Sequence, residues 1–296
     1  MKTKHPIIYI FILIILLIPS IFLVEGLVQL VLNTIHPFKT GNNDIVNSII
    51  FMFSSIIGSF GLIAIYRKYI DKESFFDMGF SIKNRLFDLL LGIAIGVILI
   101  SIGFVFLIAI ENLEVIELNL NIKWFIGTMV LMILVSVHEE VIVRGYLLNS
   151  LMSVTNKYFA LLLSSILFGA MHLLNPNISI ISFVNIVLAG FLLGISYLHS
   201  KNLWFPMGLH FSWNFFQGPV LGFEVSGQEM KSLITHKITG NELVTGGEFG
   251  FEGSLIATIL MILTIIGLNW FFEKKEALSK KVTIDFNNNE LTIKEN

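Results

Sequence analysis

An all-α fold is predicted, a polytopic bundle of about eight transmembrane helices, on three observations. Hydrophobic residues make up 55% of the chain and charged residues 14%. Mean hydropathy is +0.82. Apolar runs recur at lengths near the ~20 residues that cross a hydrocarbon core as helix. A membrane barrel is a poor alternative, because its strands alternate polar and apolar positions, whereas these runs are apolar on every side.

The first run, Ile7–Leu32, follows the basic start Met1-Lys2-Thr3-Lys4-His5 and could be misread as a secretory signal. It is long, is broken only by Pro19 and Glu25, and has no convincing small-residue cleavage site, so a retained helix is expected. Ile45–Tyr66 is the second run, and a mixed-charge linker, Arg67–Arg85, separates it from the third, Leu89–Ile110. Then come Trp124–Met152, Tyr158–Leu174, Ile178–Leu198 and Leu203–Leu221, a long glycine-rich loop Gly222–Ser254, and a final run Leu255–Phe272. In the polar tail Glu273–Asn296, the segments Val282–Phe286 and Leu291–Ile293 alternate around three asparagines, a pattern that reads as a small hairpin. The organisation expected is N-terminal helices without a motif over 1–120, a functional core over 121–272 and a polar cytoplasmic tail over 273–296. No internal repeat of the transporter kind is visible.

Basic residues set the orientation. If all the runs span, Lys2, Lys4, Arg67, Lys68, Lys72, Lys83, Arg85, Lys157, Lys201 and the lysines of the tail share one side, against Lys39, Lys123, Lys231 and Lys237 on the other. Both termini are therefore expected in the cytoplasm. The net charge of −2 says little beside this asymmetry, and nothing points to a nucleic-acid partner. The chain has no cysteine, which removes disulfides, thiolate metal sites and cysteine nucleophiles together.

The fourth run contains Val137-His138-Glu139-Glu140-Val141-Ile142-Val143-Arg144. A charge at the centre of a membrane helix costs roughly 2.5–3.5 kcal/mol on insertion scales, so these three need partners or a task. Glu140 and Arg144 stand four apart with Glu on the N-terminal side, the favourable order for an ion pair on one helix face. Glu139, about 100° away, is left without a local partner. His138 faces elsewhere again, and the zinc-protease pattern H-E-x-x-H fails because position 142 is Ile.

Two further polar sets recur at the same spacing, Phe168-x-x-x-His172 and His210-x-x-x-Asn214. If a turn falls at Thr155-Asn156, Glu139 and His172 each lie about 25 Å from it along their helices and meet at one level. His210, counted from Lys201, is only about 13 Å into its helix, so the expected resolution is that Leu147–Asn156 lies partly along the cytoplasmic interface and carries the cluster towards that face. His5, His36, His199 and His236 read as solvated or interfacial.

The ordered set Glu139-Glu140-x-x-x-Arg144, Phe168-x-x-x-His172 and His210-x-x-x-Asn214 resembles the three signature motifs of the CAAX prenyl endopeptidase and bacteriocin-processing family, also called CPBP or Abi. The resemblance covers about Trp124–Leu221, and Gly246–Ser254 resembles a glycine-rich stretch before the last helix of bacterial members. It implies an intramembrane protease in which Glu139 with His172 activates water, His210 and Asn214 stabilise the oxyanion, and Glu140 and Arg144 brace the site. Its implied partners are the lipid bilayer and a peptide or membrane-protein substrate. Members are described both as metalloproteases, here with zinc on Glu139, His172 and His210, and as glutamate-dependent enzymes that need no metal; both stay open. Eukaryotic relatives remove the residues after a prenylated cysteine, whereas bacterial ones serve peptide maturation or bacteriocin immunity. The Ile, Lys, Asn and Phe bias of the chain points to A+T-rich coding and a bacterial plasma membrane.

Two rival classes make different predictions. A transporter would show Glu139-dependent transport without cleavage. A non-catalytic scaffold or immunity protein would keep its phenotype after Glu139→Gln.

Overall fold

The computed structural model describes residues 6–35 and 45–287, as a bundle of helices with one small sheet. In chain order the helices are α1 (Pro6–Ile35), α2 (Ile45–Tyr66), α3 (Leu86–Ala109), α4 (Ile122–Glu140), α5 (Lys157–Met171), α6 (Ile180–Ser200), α7 (Trp204–Phe215) and α8 (Leu255–Asn287). Six helical stretches are long and apolar enough to cross a bilayer: Ile8–Val31, Ile45–Asp71, Leu86–Ala109, Ile122–Met152, Ile180–Ser200 and Leu255–Leu278. The protein is an integral membrane protein.

The runs expected at Tyr158–Leu174 and Leu203–Leu221 differ from simple spans. α5 is short, capped at its start by the Asn156 side chain accepting from Phe159 N–H and ending at His172. α7 passes into wide π-type turns at Phe216–Val220, where Pro219 cannot supply a backbone N–H to a regular helix. The tail is also corrected: Val282–Phe286 lies within α8 and is not a strand, because the apolar helix carries the chain straight on. Leu291–Ile293, His5 and His36 fall outside the described residues.

The sheet joins β1 (Leu113–Leu118) to β2 (Ile234–Ile238) in antiparallel register, with a bulge between Val115 and Glu117. It marks one end of the bundle, the sheet end; the Arg67–Arg85 linker marks the other. β2 is held by His236, whose Nδ1–H donates to the Leu221 carbonyl at 2.9 Å while its ring lies among Phe104 and Phe223. Burial pushes this imidazole below its ordinary value, against the pull of the Leu221 bond. The fold therefore binds fewer protons here than the released strand, so the contribution is present above the unfolded value of about 6.5 and is lost as pH falls below it. Protection factors for hydrogen exchange over 234–238, taken relative to the intrinsic rate at each pH, are expected to fall on acidification from neutrality to pH ~5, and His236→Phe to flatten that dependence. An equally steep dependence in the variant would assign it to another group.

α7 carries two candidate site residues, and α3 fixes its place. A Cβ on Gly92 would fall 2.3 Å from the Phe205 carbonyl, and one on Gly208 2.6 Å from that of Leu89. Only glycine lets the two backbones approach this closely, the usual means of helix contact where lipid removes the hydrophobic drive between helices. On the other side of the bundle Asn185 of α6 donates to the Glu252 and Ser254 carbonyls and accepts from Thr258 Oγ1, tying α6 to α8. His199, expected to be solvated, is instead buried between α6 and α8, with ring nitrogens on Glu276 Oε2 at 2.8 Å and Asn269 Oδ1 at 3.2 Å.

Candidate active site

Regular α-geometry stops at Glu140, and Val141–Leu148 continues as wider π-type turns before Asn149–Met152 resumes the helix. The helix thus runs on as one continuous apolar stretch, Ile122–Met152. π-type insertions are frequent at functional sites. Every residue from Val141 to Leu148 is buried.

Glu140 and Arg144 form the expected ion pair, Nη1 to Oε1 at 2.8 Å, with the two side chains 0% and 1% exposed. Arg144 also donates through Nη2 to the Gly190 carbonyl of α6 at 3.0 Å and lies 4.7 Å over the Phe168 ring. The same Glu140 Oε1 accepts from His210 Nδ1 at 2.8 Å, a contact the helical wheel could not show because it joins α4 to α7. Glu140 is therefore more than a brace. It fixes the His210 ring and leaves Nε2 directed away from the pair.

That Nε2 stands 3.9 Å from Glu139 Oε2, which is buried without a hydrogen-bond partner. His172 closes α5 with its Nδ1–H on the Phe168 carbonyl at 2.8 Å, the back-bond available to a residue four positions on, so its Nε2 is also left for the interior. Phe168 touches both imidazoles edge to face, at 4.8 Å from His172 and 6.2 Å from His210. Glu139, His172, His210 and Asn214 line one cavity of about 290 Å³, with apolar walls from Met132, Leu192, Leu209 and Trp213. The nearest ionisable neighbour of Glu139 across helices is His210; His172 shares the cavity. His138 points away, its Nε2 on Ser59 Oγ of α2 at 3.0 Å.

The cavity lies where short α5 ends, and residues from the sheet end roof it. The connections of the sheet end therefore reach the same cavity as His210, which stands midway along α7. Glu252, 5% exposed, lines the cavity and takes the Ser226 hydroxyl at 2.7 Å and the Ser226 N–H. Burial pushes its carboxyl above the usual range, while Ser226, His172 and the Trp213 indole pull it back. Sequence reading singled out Gly246–Ser254 but gave Glu252 no role. Two carboxylates, Glu248 and Glu252, set among the four glycines of Gly246–Ser254 are the signal, and spacing alone does not say which of them turns inward.

Residues 121–216 match the family described as Type II CAAX prenyl endopeptidase Rce1-like. Over this segment the chain is similar to the CAAX prenyl endopeptidase-like family. No curated protein and no solved structure matches the chain significantly. The CAAX prenyl endopeptidase-like segment begins at the cap of α4 and ends at the C-cap of α7, so it contains Glu139, Glu140, Arg144, His172, His210 and Asn214, while the roof residues Ser226 and Glu252 follow it. The family is one of proteases.

Glu139, His172 and His210 are donor types that zinc accepts, and both imidazoles have Nδ1 engaged and Nε2 free, as metal-bound histidines do. Among the described residues, however, no three His, Asp or Glu side chains are gathered closely enough to hold an ion. The arrangement as it stands does not fit a zinc shell.

Proposed function

We propose that the protein is an intramembrane endopeptidase that hydrolyses a peptide bond with Glu139 as general base. The observation that carries this reading is the Glu139 carboxylate oxygen, buried without a partner, facing an anchored imidazole across a cavity shared with His172 and Asn214. Buried acceptors are paired almost everywhere in proteins, so an unpaired carboxylate oxygen at such a place is a seat for the reacting water.

In the proposed reaction Glu139 takes a proton from water as the oxygen attacks the scissile carbonyl carbon. The carbonyl electron pair moves onto oxygen, where the Asn214 carboxamide and His210 stabilise it. Collapse of the tetrahedral intermediate expels the amine, which receives the proton held by Glu139, with His172 Nε2 placed to assist the transfer. Glu140 and Arg144 hold His210 and the α4–α6 contact in place.

The substrates proposed are membrane-associated peptides or membrane-protein segments, because the cavity lies among membrane helices and is mostly apolar. CAAX-type processing and bacteriocin-related maturation or immunity are the two biological settings the family offers. A bacterial plasma membrane location with both termini in the cytoplasm rests on the basic-residue asymmetry and puts the sheet end outside.

The test is purified protein in lipid with a library of membrane-tethered peptides. Cleavage by wild type is expected, and Asn214→Ala is expected to lower kcat by about 10²–10³ with little change in KM, the effect of removing one oxyanion donor. An unchanged kcat would remove Asn214 from the oxyanion site. Metal analysis of the same samples decides the cofactor: stoichiometric zinc lost on His172→Ala would assign a shell, and chelator-resistant cleavage by metal-free protein would assign the glutamate mechanism.

A further inference from the structure

The roof over the cavity is a hairpin tip. Val225 and Gln228 exchange both backbone bonds, N to O at 3.0 and 2.9 Å, and the two residues between them have positive φ, 49° at Ser226 and 78° at Gly227. That is the twist of a two-residue type I′ turn. The second position needs glycine doubly, since a Cβ on Gly227 would lie 2.1 Å from the Pro176 carbonyl. Val225, Ser226, Gln228 and Met230 all line the cavity.

This tip is held from three sides. Asn175, on the connection after His172, donates to the Ser226 carbonyl at 3.0 Å. Gly227 N–H donates to the Phe249 carbonyl at 2.9 Å. Glu252 takes both the N–H and the hydroxyl of Ser226, and it lines the cavity together with Trp213 of α7. Glu252 is itself fixed by its surroundings. Asn185 holds its carbonyl, and Gly250, at φ 100°, passes so close to the Glu224 carbonyl that a Cβ would come within 2.0 Å. One buried carboxyl thus ties down the hairpin tip in the wall it shares with Trp213 of α7, the helix that carries His210 and Asn214.

We propose that Glu252 is a positioning residue of this site, a latch that holds the Ser226–Gly227 tip against α7 so that Val225, Gln228 and Met230 form a fixed wall for the substrate. The proposal rests on the protease reading, and it separates Glu252 from the groups that do the chemistry. Glu252 bonds Ser226 and needs no contact with the scissile bond.

The experiment compares wild type, Glu252→Ala and Glu252→Gln by steady-state kinetics on a peptide that wild type cleaves, and by hydrogen exchange over residues 223–230. Loss of the latch is expected to raise KM about tenfold or more in Glu252→Ala while kcat changes by less than about threefold, since the reacting groups are untouched. Glu252→Gln keeps an acceptor oxygen for Ser226 but loses the charge that strengthens both bonds, so its KM is expected to fall between the two. Exchange over 223–230 is expected to rise in the same order. A fall in apparent kcat at unchanged KM would mean only less folded enzyme and would overturn the proposal, as would unchanged exchange at the hairpin. If wild type cleaves no peptide, the protease reading fails, and the exchange series alone then decides whether Glu252 is a latch.

Discussion

Glu139→Gln is expected to abolish peptide cleavage while leaving the protein folded in the membrane. The change is nearly isosteric and removes only the ability to accept a proton from water. Its loss is expected to cost about 10²–10⁴ in kcat, the usual contribution of a positioned base. Stability is expected to hold or rise slightly, because Glu139 Oε2 makes no hydrogen bond and a buried, unpaired carboxylate oxygen is a burden to the fold. That pairing of lost activity with preserved stability marks a functional carboxylate. Cleavage within a fewfold of wild type would remove Glu139 as the base. A large stability loss would instead make it a structural residue, and transport that vanishes with the carboxylate, without cleavage, would favour the transporter.

The second large effect falls on Arg144. Arg144→Leu leaves Glu140, fully buried, with His210 as its one remaining hydrogen-bonded partner among the described residues, and strips the Gly190 carbonyl of its donor. Removing one member of a buried pair is expected to cost about 3–5 kcal/mol, measured by denaturant-driven unfolding in mixed micelles. Glu140→Leu with Arg144→Met removes both charges and is expected to recover much of that stability, since an apolar replacement of a whole buried pair is often neutral. Activity is expected to stay low in the double variant, because His210 Nδ1–H has lost the carboxylate that orients the ring. A double variant with wild-type kcat would show that Glu140 does not position His210. An Arg144→Leu variant within about 1 kcal/mol of wild type would show that the pair does not hold the helices.

These two variants divide adjacent carboxylates into different tasks, and that division was partly legible from spacing alone. The four-residue interval between Glu140 and Arg144 named the ion pair, because helical neighbours depend only on local geometry. The same rule set Glu139 apart and brought His172 to its level. It could not place His210, whose bond to Glu140 depends on how α7 packs against α4. That packing is set by close backbone contact with α3 at Gly92 and Gly208, positions that look like any other glycines in an apolar run. His199 was misjudged for the same reason: its partners, Glu276 and Asn269, come from α8.

The loops were the least legible part. Leu113–Leu118 and Ile234–Ile238 pair across more than a hundred residues, and neither strand is long enough to announce itself among membrane helices. The glycine-rich segment before α8 was visible as a feature, but its task was not, because Glu252 acts on Ser226 through a turn whose shape exists only when both segments are folded. The tail failed differently. Alternation over Val282–Phe286 suggested a strand, yet the helix continuing from the membrane already had a formed nucleus, and extending it adds a bond per residue without a new nucleation cost.

What the sequence determined by itself was the solvent and the chemistry: apolar runs that can satisfy their backbones only as helices in lipid, and two carboxylates, an arginine, two histidines and an asparagine too expensive there to be incidental. Only the tertiary structure decided which of them meet. Helical periodicity fixes a side chain's direction on its own helix, but the depth and rotation of one helix against another come from backbone contacts and loop closures spread over the whole chain, and those put His210 between Glu140 and Glu139 and set Glu252 in the roof.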